Sequence, residues 1–485
     1  MAAAWVALAA VAGPLAPVSR AARRIPRSVD DASGAVRTFV TRPDLAPPAV
    51  TVSTGAQAAG GGFVFAAPFT GPGQHGPLIF DDQGEPVWFQ PTVGPTAMNF
   101  HVQRYRGNPV LTWWEGQVDN GGYGGGTGVI VDHTYRQLAR VKAANGYQSD
   151  LHEFVITSRG TALIAVYNEV AADLSAFGGP VDGRVVEGIV QELEIATGRL
   201  LLEWHSLDHV GLDESYRAYP TDPGQFEYFH LNSIGVDTDG NLLVSARHTS
   251  TVYKLDRRSG EVIWRLGGKK SDFVLGPGAS FDFQHDARRH ADGTITIFDN
   301  GAWGPTGVVE QASRPIRLEL DMSTMTASLA QVFEAGAPRL AVAMGDVQLL
   351  PDGGAFIGWG TAGGFTEVGP DDEVRYDGHF TGAAWTYRAF RFPWVGRPAT
   401  RPTVVLAGDP VGTTTLRVSW NGATEVVRWQ VLAGRRADQL EPIRTVPRSG
   451  FETAVTLPRQ TGYVAVAAVD RKGVVLGTSK PQRAP

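Results

Sequence analysis

A chain of 485 residues is too long for one compact core in most architectures, and points to two domains or to one large closed β domain with a smaller companion. A hydrophobic fraction of 43% with 19% charged residues excludes a disordered chain, and a net charge of −6 argues against a nucleic-acid or anionic-membrane partner. The absence of cysteine excludes disulfides, thiolate metal sites and cysteine nucleophiles, while 59 glycines and 31 prolines forecast many short strands joined by turns.

The chain opens "MAAAWVALAAVAGPLAPVSRAARR". Residues 2–12 are an apolar, Ala-rich run too short to span a bilayer as a helix. The run resembles the apolar part of an export signal, with VSRAA as a small-residue cleavage zone, although the basic flank expected ahead of it is missing. Residues 1–28 are expected to be a signal peptide or a disordered leader. The protein is then secreted or held in the cell envelope, and cytoplasmic if the run is not a signal. No later segment reaches membrane-spanning length without charges or turns.

Residues 29–398 read as a β-propeller. "GGGFVFAAP" and "HGPLIFDDQGEPVWFQP" are three strands of a first blade. A unit then recurs with starts at 101, 152, 230, 285 and 345, a spacing of 51–78 residues that suits a blade plus its loops. The unit at 230 is the clearest: HLNSIGVD, NLLVSARH, TVYKLD and EVIWRLGG are four short antiparallel strands joined by Asp-Gly and Ser-Gly turns. Residues 188–206 and 315–333 repeat its third and fourth strands. The total is six blades, with residues 383–392 as the expected closing strand. A Pro-rich linker at 394–402 leads into alternating runs over 399–485, which read as a β-sandwich of immunoglobulin or fibronectin-III type, without histidine and without a chemical constellation.

Four of the five units carry a histidine ahead of the first turn: His101, His152, His230 and His285. The fifth has Gly345-Asp346 instead. In a propeller the first strand of every blade lines the central channel, and the second returns to the same face. Reflection about each turn sets His101 near Trp114, His152 near Tyr167, His230 near His248 beside Arg247, and His285 near Asp299, while the fifth unit returns near Trp359. The predicted mouth therefore holds the four histidines with Arg247, His248, Trp114, Glu115, Asn168, Asn300 and Trp359. A repeated histidine also serves as an internal hydrogen-bonding post between strands. Two features favour a pocket: aromatics and an arginine share this end, and the fifth unit lacks the histidine. A guanidinium among imidazoles suits a tetrahedral oxyanion. His205 and His209 are expected at an exposed edge and loop, and His290 at a turn. Asp371-Asp372 and the acidic loop TDPGQFEYF match no Ca²⁺ loop. Three histidines suffice to ligate zinc, but the spacing shows no supporting carboxylate, and no metal or cofactor is expected.

The series FHLNS, SARH, VYKLD, WRLGG and QHDAR resembles the bacterial and fungal aryl sulfotransferases, which use phenolic sulfate esters as donors without a nucleotide sulfate. The resemblance runs from about residue 60 to 392. It implies a six-bladed propeller and a ping-pong reaction through a sulfated histidine, between a small aryl sulfate donor and a phenolic acceptor. The histidine of the Gln-His pair, here His285, is the implied nucleophile, with His152, His230 and Arg247 on the sulfuryl oxygens. Trp113, Trp114 and Trp303 are then candidates to stack on aryl rings, or blade core. The chain lacks the cysteine pair of the best-studied members and carries its extra sandwich at the C-terminal end. The competing readings are a non-catalytic propeller that binds an aromatic or sulfated ligand or a protein partner, and a quinone- or metal-dependent oxidoreductase, which would want cofactor-stacking tryptophans around the channel.

Overall fold

A computed structural model describes residues 34–54, 61–119, 121–219, 225–302, 310–408, 412–460 and 462–485. The expected leader at 1–28 and Trp303 lie outside the described residues. Among those described, the chain is all β, and its helical turns are 3₁₀ segments of three residues.

Six successive antiparallel sheets fill the chain up to Phe392. Sheet I runs Thr386–Phe392, Phe63–Pro68, Leu78–Phe80, Pro86–Phe89, so the last strand of this region is the first of the sheet. Sheet II is Thr96–Tyr105, Asn108–Val118, Gly124–Val131, Gln137–Val141. Sheet III is Phe154–Ile156, Thr161–Ala172, Gly183–Glu194, Leu200–His205, with Gln225–Glu227 added parallel to its third strand. Sheet IV is Leu231–Val236, Leu242–Ala246, Thr251–Leu255, Val262–Gly267. Sheet V is His285–Arg289, Ile295–Asp299, Arg314–Asp321, Thr326–Val332, with Val274–Leu275 outside it. Sheet VI is Asp346–Leu349, Ala355–Gly358, Gly364–Val368, Val374–Phe380, with Val50–Thr54 on its outer edge.

The sheets meet near their inner ends. Thr96–Tyr105 touches Phe154–Ile156, the second strand of sheet III touches Leu231–Val236, and the series continues through His285–Arg289 to Asp346–Leu349. Thr386–Phe392 touches the first strands of both sheet II and sheet VI. The arrangement is propeller-like. Apolar side chains on facing sheets interdigitate: Leu243, Val252 and Leu266 of sheet IV pack on Ile295, Ile297 and Ile316 of sheet V. Because strands of this kind are covered on both faces, their sequences are continuous apolar runs rather than alternating ones. Leu242–Ala246 is buried throughout.

Asp-Gly turns close the inner hairpins of sheets IV, V and VI, and Arg-Gly turns those of sheets II and III. In the turn after Val236, Asp237 N–H donates to the Asn241 carbonyl at 2.8 Å and Gly240 N–H to the Asp237 carbonyl at 2.9 Å. Gly240 adopts φ +87°, where a side chain is strained.

Two further sheets follow the linker. Thr403–Gly408, Thr413–Ser419 and Glu452–Pro458 form one; Gln439–Pro447, Arg428–Arg436, Tyr463–Val469 and Val475–Thr478 form the other, with Gln482–Arg483 also on Tyr463–Val469. They share a core of their own, with Leu416, Val418, Trp429, Val431 and Val466 at its centre. The unit is tied to sheet I, where Asn421 Oδ1 accepts from Phe89 N–H at 3.0 Å and its Nδ2 donates to the Phe89 carbonyl at 2.9 Å.

A candidate active site of imidazoles around a buried guanidinium

One rim of the inner strands gathers the polar groups. His285 is the first residue of its strand, His230 immediately precedes Leu231–Val236, and His152 lies two residues before Phe154–Ile156. Arg247 and His248 follow directly on Leu242–Ala246, the strand antiparallel to Leu231–Val236, so both return to the end where His230 sits. The backbone locks this end: Arg247 N–H donates to the His230 carbonyl at 2.9 Å, and His248 N–H to the Phe229 carbonyl at 3.1 Å. His230 holds φ +55°, a left-handed conformation uncommon outside glycine and of the kind found at strained functional positions.

These side chains form a closed circuit. The ring of His152 lies 4.9 Å from that of His230, which lies 4.7 Å from His248. Arg247 Nη1 donates to His248 Nε2 at 3.1 Å and Nη2 donates to the Val342 carbonyl at 3.1 Å. Two residues further on, Met344 N–H donates to His285 Nε2 at 3.2 Å. Tyr387 completes the circuit, its ring 6.4 Å from His285 and 5.5 Å from His152. All four of His152, His230, Arg247 and His285 are buried.

The three central imidazoles have different partners, and the partners decide their chemistry. His285 Nδ1 lies 2.7 Å from Asn300 Oδ1. Asn300 is oriented by its own amide, whose Nδ2 donates to the carbonyls of Ala341 at 2.7 Å and Met344 at 3.0 Å. Its oxygen must therefore face His285 and accept the Nδ1 proton, which leaves the lone pair on Nε2. An amide adds no charge, so nothing in contact stabilises an imidazolium. Burial, reinforced by the Arg247 charge, holds the His285 pKa well below the usual 6.5. His285 is thus a neutral imidazole whose Nε2 lone pair accepts from Met344 N–H and must release that contact to attack an electrophile.

His152 and His230 are backed by carboxylates. His152 Nδ1 lies 2.6 Å from Asp150 Oδ1, and His230 Nδ1 bonds to Glu227 Oε1. In each, Nδ1 faces a carboxylate that fixes the orientation of the ring. Burial still lowers the pKa of His230 and of His248, and raises that of Glu227. Arg247 is pulled down to about 10 by burial, so it remains a full cation at neutral pH. Its Nε is buried without a hydrogen-bond partner, and the guanidinium lies 4.8 Å over the Phe283 ring. A buried cationic donor left over beside three imidazoles suits an anion with several oxygens.

A metal suits the site less well. Ligand-capable atoms of Glu227, His230 and His248 lie within 4.8 Å of one another, so a carboxylate not evident from spacing does join two histidines. However, His248 Nε2 accepts from Arg247 and its Nδ1 faces the Glu227 carbonyl at 2.7 Å, so both nitrogens are engaged and a guanidinium adjoins the place a dication would take.

The other expected mouth residues divide. Trp114 is fully buried and packs with Met98, Leu151, Met344 and Tyr387, next to the circuit, its Nε1 donating to the Ser149 carbonyl at 2.8 Å. His101 is not in the mouth. A bulge between Met98 and His101, with Asn99 at φ +57°, pairs Trp114 with Met98 and sets His101 against Thr112 instead. His101 lines a different cavity of about 400 Å³ together with His290, Gln103 and Phe390. Glu115 instead bonds Arg140 at 2.8 Å, and Asn168 bonds Glu187 at 2.9 Å, both away from the circuit. Trp359 and Trp113 are core side chains, in the layers beside Phe298 and Phe100 respectively. His205 and His209 are half-buried rather than exposed: His205 bonds Glu187 and Glu203, and His209 stacks on Trp204 at 5.4 Å. Asp150, Glu227 and Tyr387 were not identified from the sequence; only the acidic loop TDPGQFEYF pointed toward Glu227.

Comparison with known proteins supplies the class. No curated protein matches the chain. Solved structures similar to it include a protein of unknown function from Bacteroides caccae (14% identical, TM-score 0.41, covering 68% of this chain and 100% of that one). A Lactobacillus plantarum protein is 12% identical, with TM-score 0.35 over 81% of this chain and 99% of its own. The virginiamycin B lyase of Staphylococcus aureus is 8% identical, with TM-score 0.30 over 76% and 94%. The family profile described as Arylsulfotransferase (ASST) matches residues 101–381, a span that takes in His152, His230, Arg247 and His285, and the chain belongs to that family.

Proposed function

We propose that this arylsulfotransferase works on a closed six-bladed propeller, with a fibronectin-III-like sandwich after residue 398, and moves a sulfuryl group from a phenolic sulfate ester to a phenol by way of a sulfated His285. The observation that carries the reading is the contrast in partners: His285 rests on a neutral amide, whereas His152 and His230 rest on carboxylates beside the unsatisfied Arg247 Nε. A nucleophile must present a lone pair, and groups that hold sulfuryl oxygens must present N–H.

In this mechanism His285 Nε2 attacks sulfur in line with the departing phenolate. The transition state is loose and rich in oxygen, so positioning and charge do most of the work, as in phosphoryl transfer. Arg247 and His152 hold the sulfuryl oxygens, and His230 stands beside them, facing the oxygen of the aryl group. Tyr167, whose ring lies 5.4 Å from His152, and Phe283 under Arg247 wall the site for an aryl ring. In the second half an acceptor phenol takes the group back from His285. The apolar run at residues 2–12 makes export part of the proposal, which N-terminal sequencing of the mature protein checks.

The test is intact-mass analysis after incubation with 4-nitrophenyl sulfate and no acceptor. The expected result is one acid-labile sulfuryl adduct, lost in His285→Ala while the fold is retained. An adduct that persists in that variant sinks the nucleophile assignment; no adduct in the unaltered protein sinks the covalent route.

A further inference from the structure

The two carboxylate-backed histidines are not equivalent, and the difference points to a division of labour. Asp150 is saturated. Its Oδ1 accepts from the His152 backbone N–H at 2.9 Å as well as from Nδ1, and its Oδ2 accepts from Gly124 N–H at 2.7 Å. His152 is therefore fixed with Nδ1 against Asp150, which leaves Nε2 as its free nitrogen. Glu227 has no such support: among the described residues its carboxylate receives only His230. It is held in place by strand pairing, since Gln225–Glu227 runs parallel to Gly183–Glu194 with Glu227 opposite Val186. Burial raises its pKa and lowers that of His230, so a proton shared by the pair is drawn toward the carboxyl.

Resting on the transfer reading above, we propose that Glu227 is the positioning residue through which His230 gives a proton to, and takes one from, the aryl oxygen in the two half-reactions. The left-handed backbone at His230 folds its ring back toward the carboxylate three residues earlier, which occupies Nδ1 and assigns Nε2 to exchange. The charged and titratable groups around the pair include Arg247, His152, His248, His285, Tyr167, Tyr123, Asp119 and Arg217.

The protons and electrons balance. In the first half the His285 Nε2 lone pair forms the N–S bond, the S–O bond breaks with its pair going to the aryl oxygen, and that oxygen takes the proton from His230 Nε2 as His230 Nδ1 takes one from the Glu227 carboxyl. His230 is left neutral, with its proton on Nδ1 against the Glu227 carboxylate. In the second half the acceptor O–H returns a proton to Nε2 as its oxygen bonds to sulfur, Nδ1 gives its proton back to Glu227, and the N–S pair goes back to His285. The pair ends as it began.

The experiment measures His285 sulfurylation, by rapid quench and intact mass, for aryl sulfates of graded leaving-group basicity in the full chain and in Glu227→Gln. General-acid assistance contributes on the order of 10²–10⁴, so Glu227→Gln is expected to lose on the order of 10² with phenyl sulfate and less than about threefold with 4-nitrophenyl sulfate, whose phenolate leaves without a proton. Glu227→Asp, which keeps the carboxylate, is expected to recover much of the phenyl sulfate rate. A loss that is equal across the series, or absent from it, overturns the proposal while leaving the transfer reading intact. An unaltered protein that forms no adduct with any ester overturns both. If Glu227→Gln does not fold, His230→Gln carries the same comparison.

Discussion

The nitrogen that His285 presents to an electrophile is set by Asn300, and Asn300 is set by two backbone carbonyls. Replacing Asn300 with leucine keeps the branching at Cγ, adds bulk and removes the acceptor, so the His285 proton is no longer held on Nδ1 and can move to Nε2, the nitrogen that must attack. The expected loss in sulfurylation is on the order of 10–10², less than the penalty when a triad histidine is locked in the wrong tautomer. Nitrogen NMR of labelled histidine checks the cause directly. The unaltered protein should show His285 as the Nδ1–H tautomer, still neutral at pH 6.5 because burial and Arg247 hold its pKa down, and Asn300→Leu should show a mixture. A single tautomer in both removes the argument. At this scale His152, His230, His285, Arg247, His248 and Asn300 were legible because hairpin reflection needs only linear spacing. Glu227 and Tyr387 were not. One arrives on a three-residue strand added to a neighbouring sheet, and the other on the strand that joins the start of the chain to its later part.

Strand register explains both a correct and an incorrect expectation. His101 shares its position in the repeat with the other histidines, but the bulge ahead of it carries it toward the opposite cavity, and a bulge leaves no mark in apolar patterning. The missing histidine of the fifth unit has a packing cause. Gly345 has φ +103°, and a Cβ there would stand 2.6 Å from Cε1 of Phe298 in the neighbouring sheet. Phe298 and Trp359 fill that layer with rings 5.7 Å apart, so the interior of this corner is already occupied. The same Gly345 N–H donates to the Tyr387 carbonyl at 3.1 Å. Gly345→Ala is expected to destabilise the fold by about 1–3 kcal/mol through overpacking, read from the urea midpoint at unchanged slope. A change below about 0.5 kcal/mol, the range of neutral surface substitutions, would mean that the corner relaxes freely.

Across the whole molecule, short apolar runs and turn spacing made the succession of strands legible, whereas the ion network that joins the sheets was not, because its members lie far apart in sequence. Glu153 sits where the inner strands converge, in the wall of the cavity that also holds His101. Its Oε2 accepts from Arg288 at 2.5 Å and its Oε1 from Arg388 at 3.1 Å; Oε1 also takes Asn99 Nδ2 at 3.2 Å, and Oε2 takes Ile234 N–H at 3.2 Å. One carboxylate thereby ties sheets I, II, IV and V to the loop that carries His152. Arg388 continues the network to the Asn232 carbonyl at 3.0 Å, where the Tyr387 hydroxyl also donates at 3.1 Å, beneath the imidazole circuit. Burial alone would raise the Glu153 pKa, but Arg288 and Arg388 outweigh it and hold the group at about 2, below its usual 4.5. A depressed folded-state pKa means that the unfolded chain binds the proton first. The stabilisation is therefore complete above about pH 4.5 and is lost as pH falls toward 2, by on the order of 3 kcal/mol. Glu153→Gln removes the charge and leaves two buried guanidinium groups underpaired, for an expected loss of about 3–5 kcal/mol at neutral pH. Unfolding of both proteins, followed by denaturant at a series of pH values, should show that gap constant from pH 8 to 5 and narrowing below 4.5, as the unfolded chain takes up a proton that the native carboxylate does not accept until about pH 2. A gap of the same size at pH 3 as at pH 7 would show that Glu153 acts by shape and hydrogen bonding, and that its charge does not hold the inner ends of the sheets together.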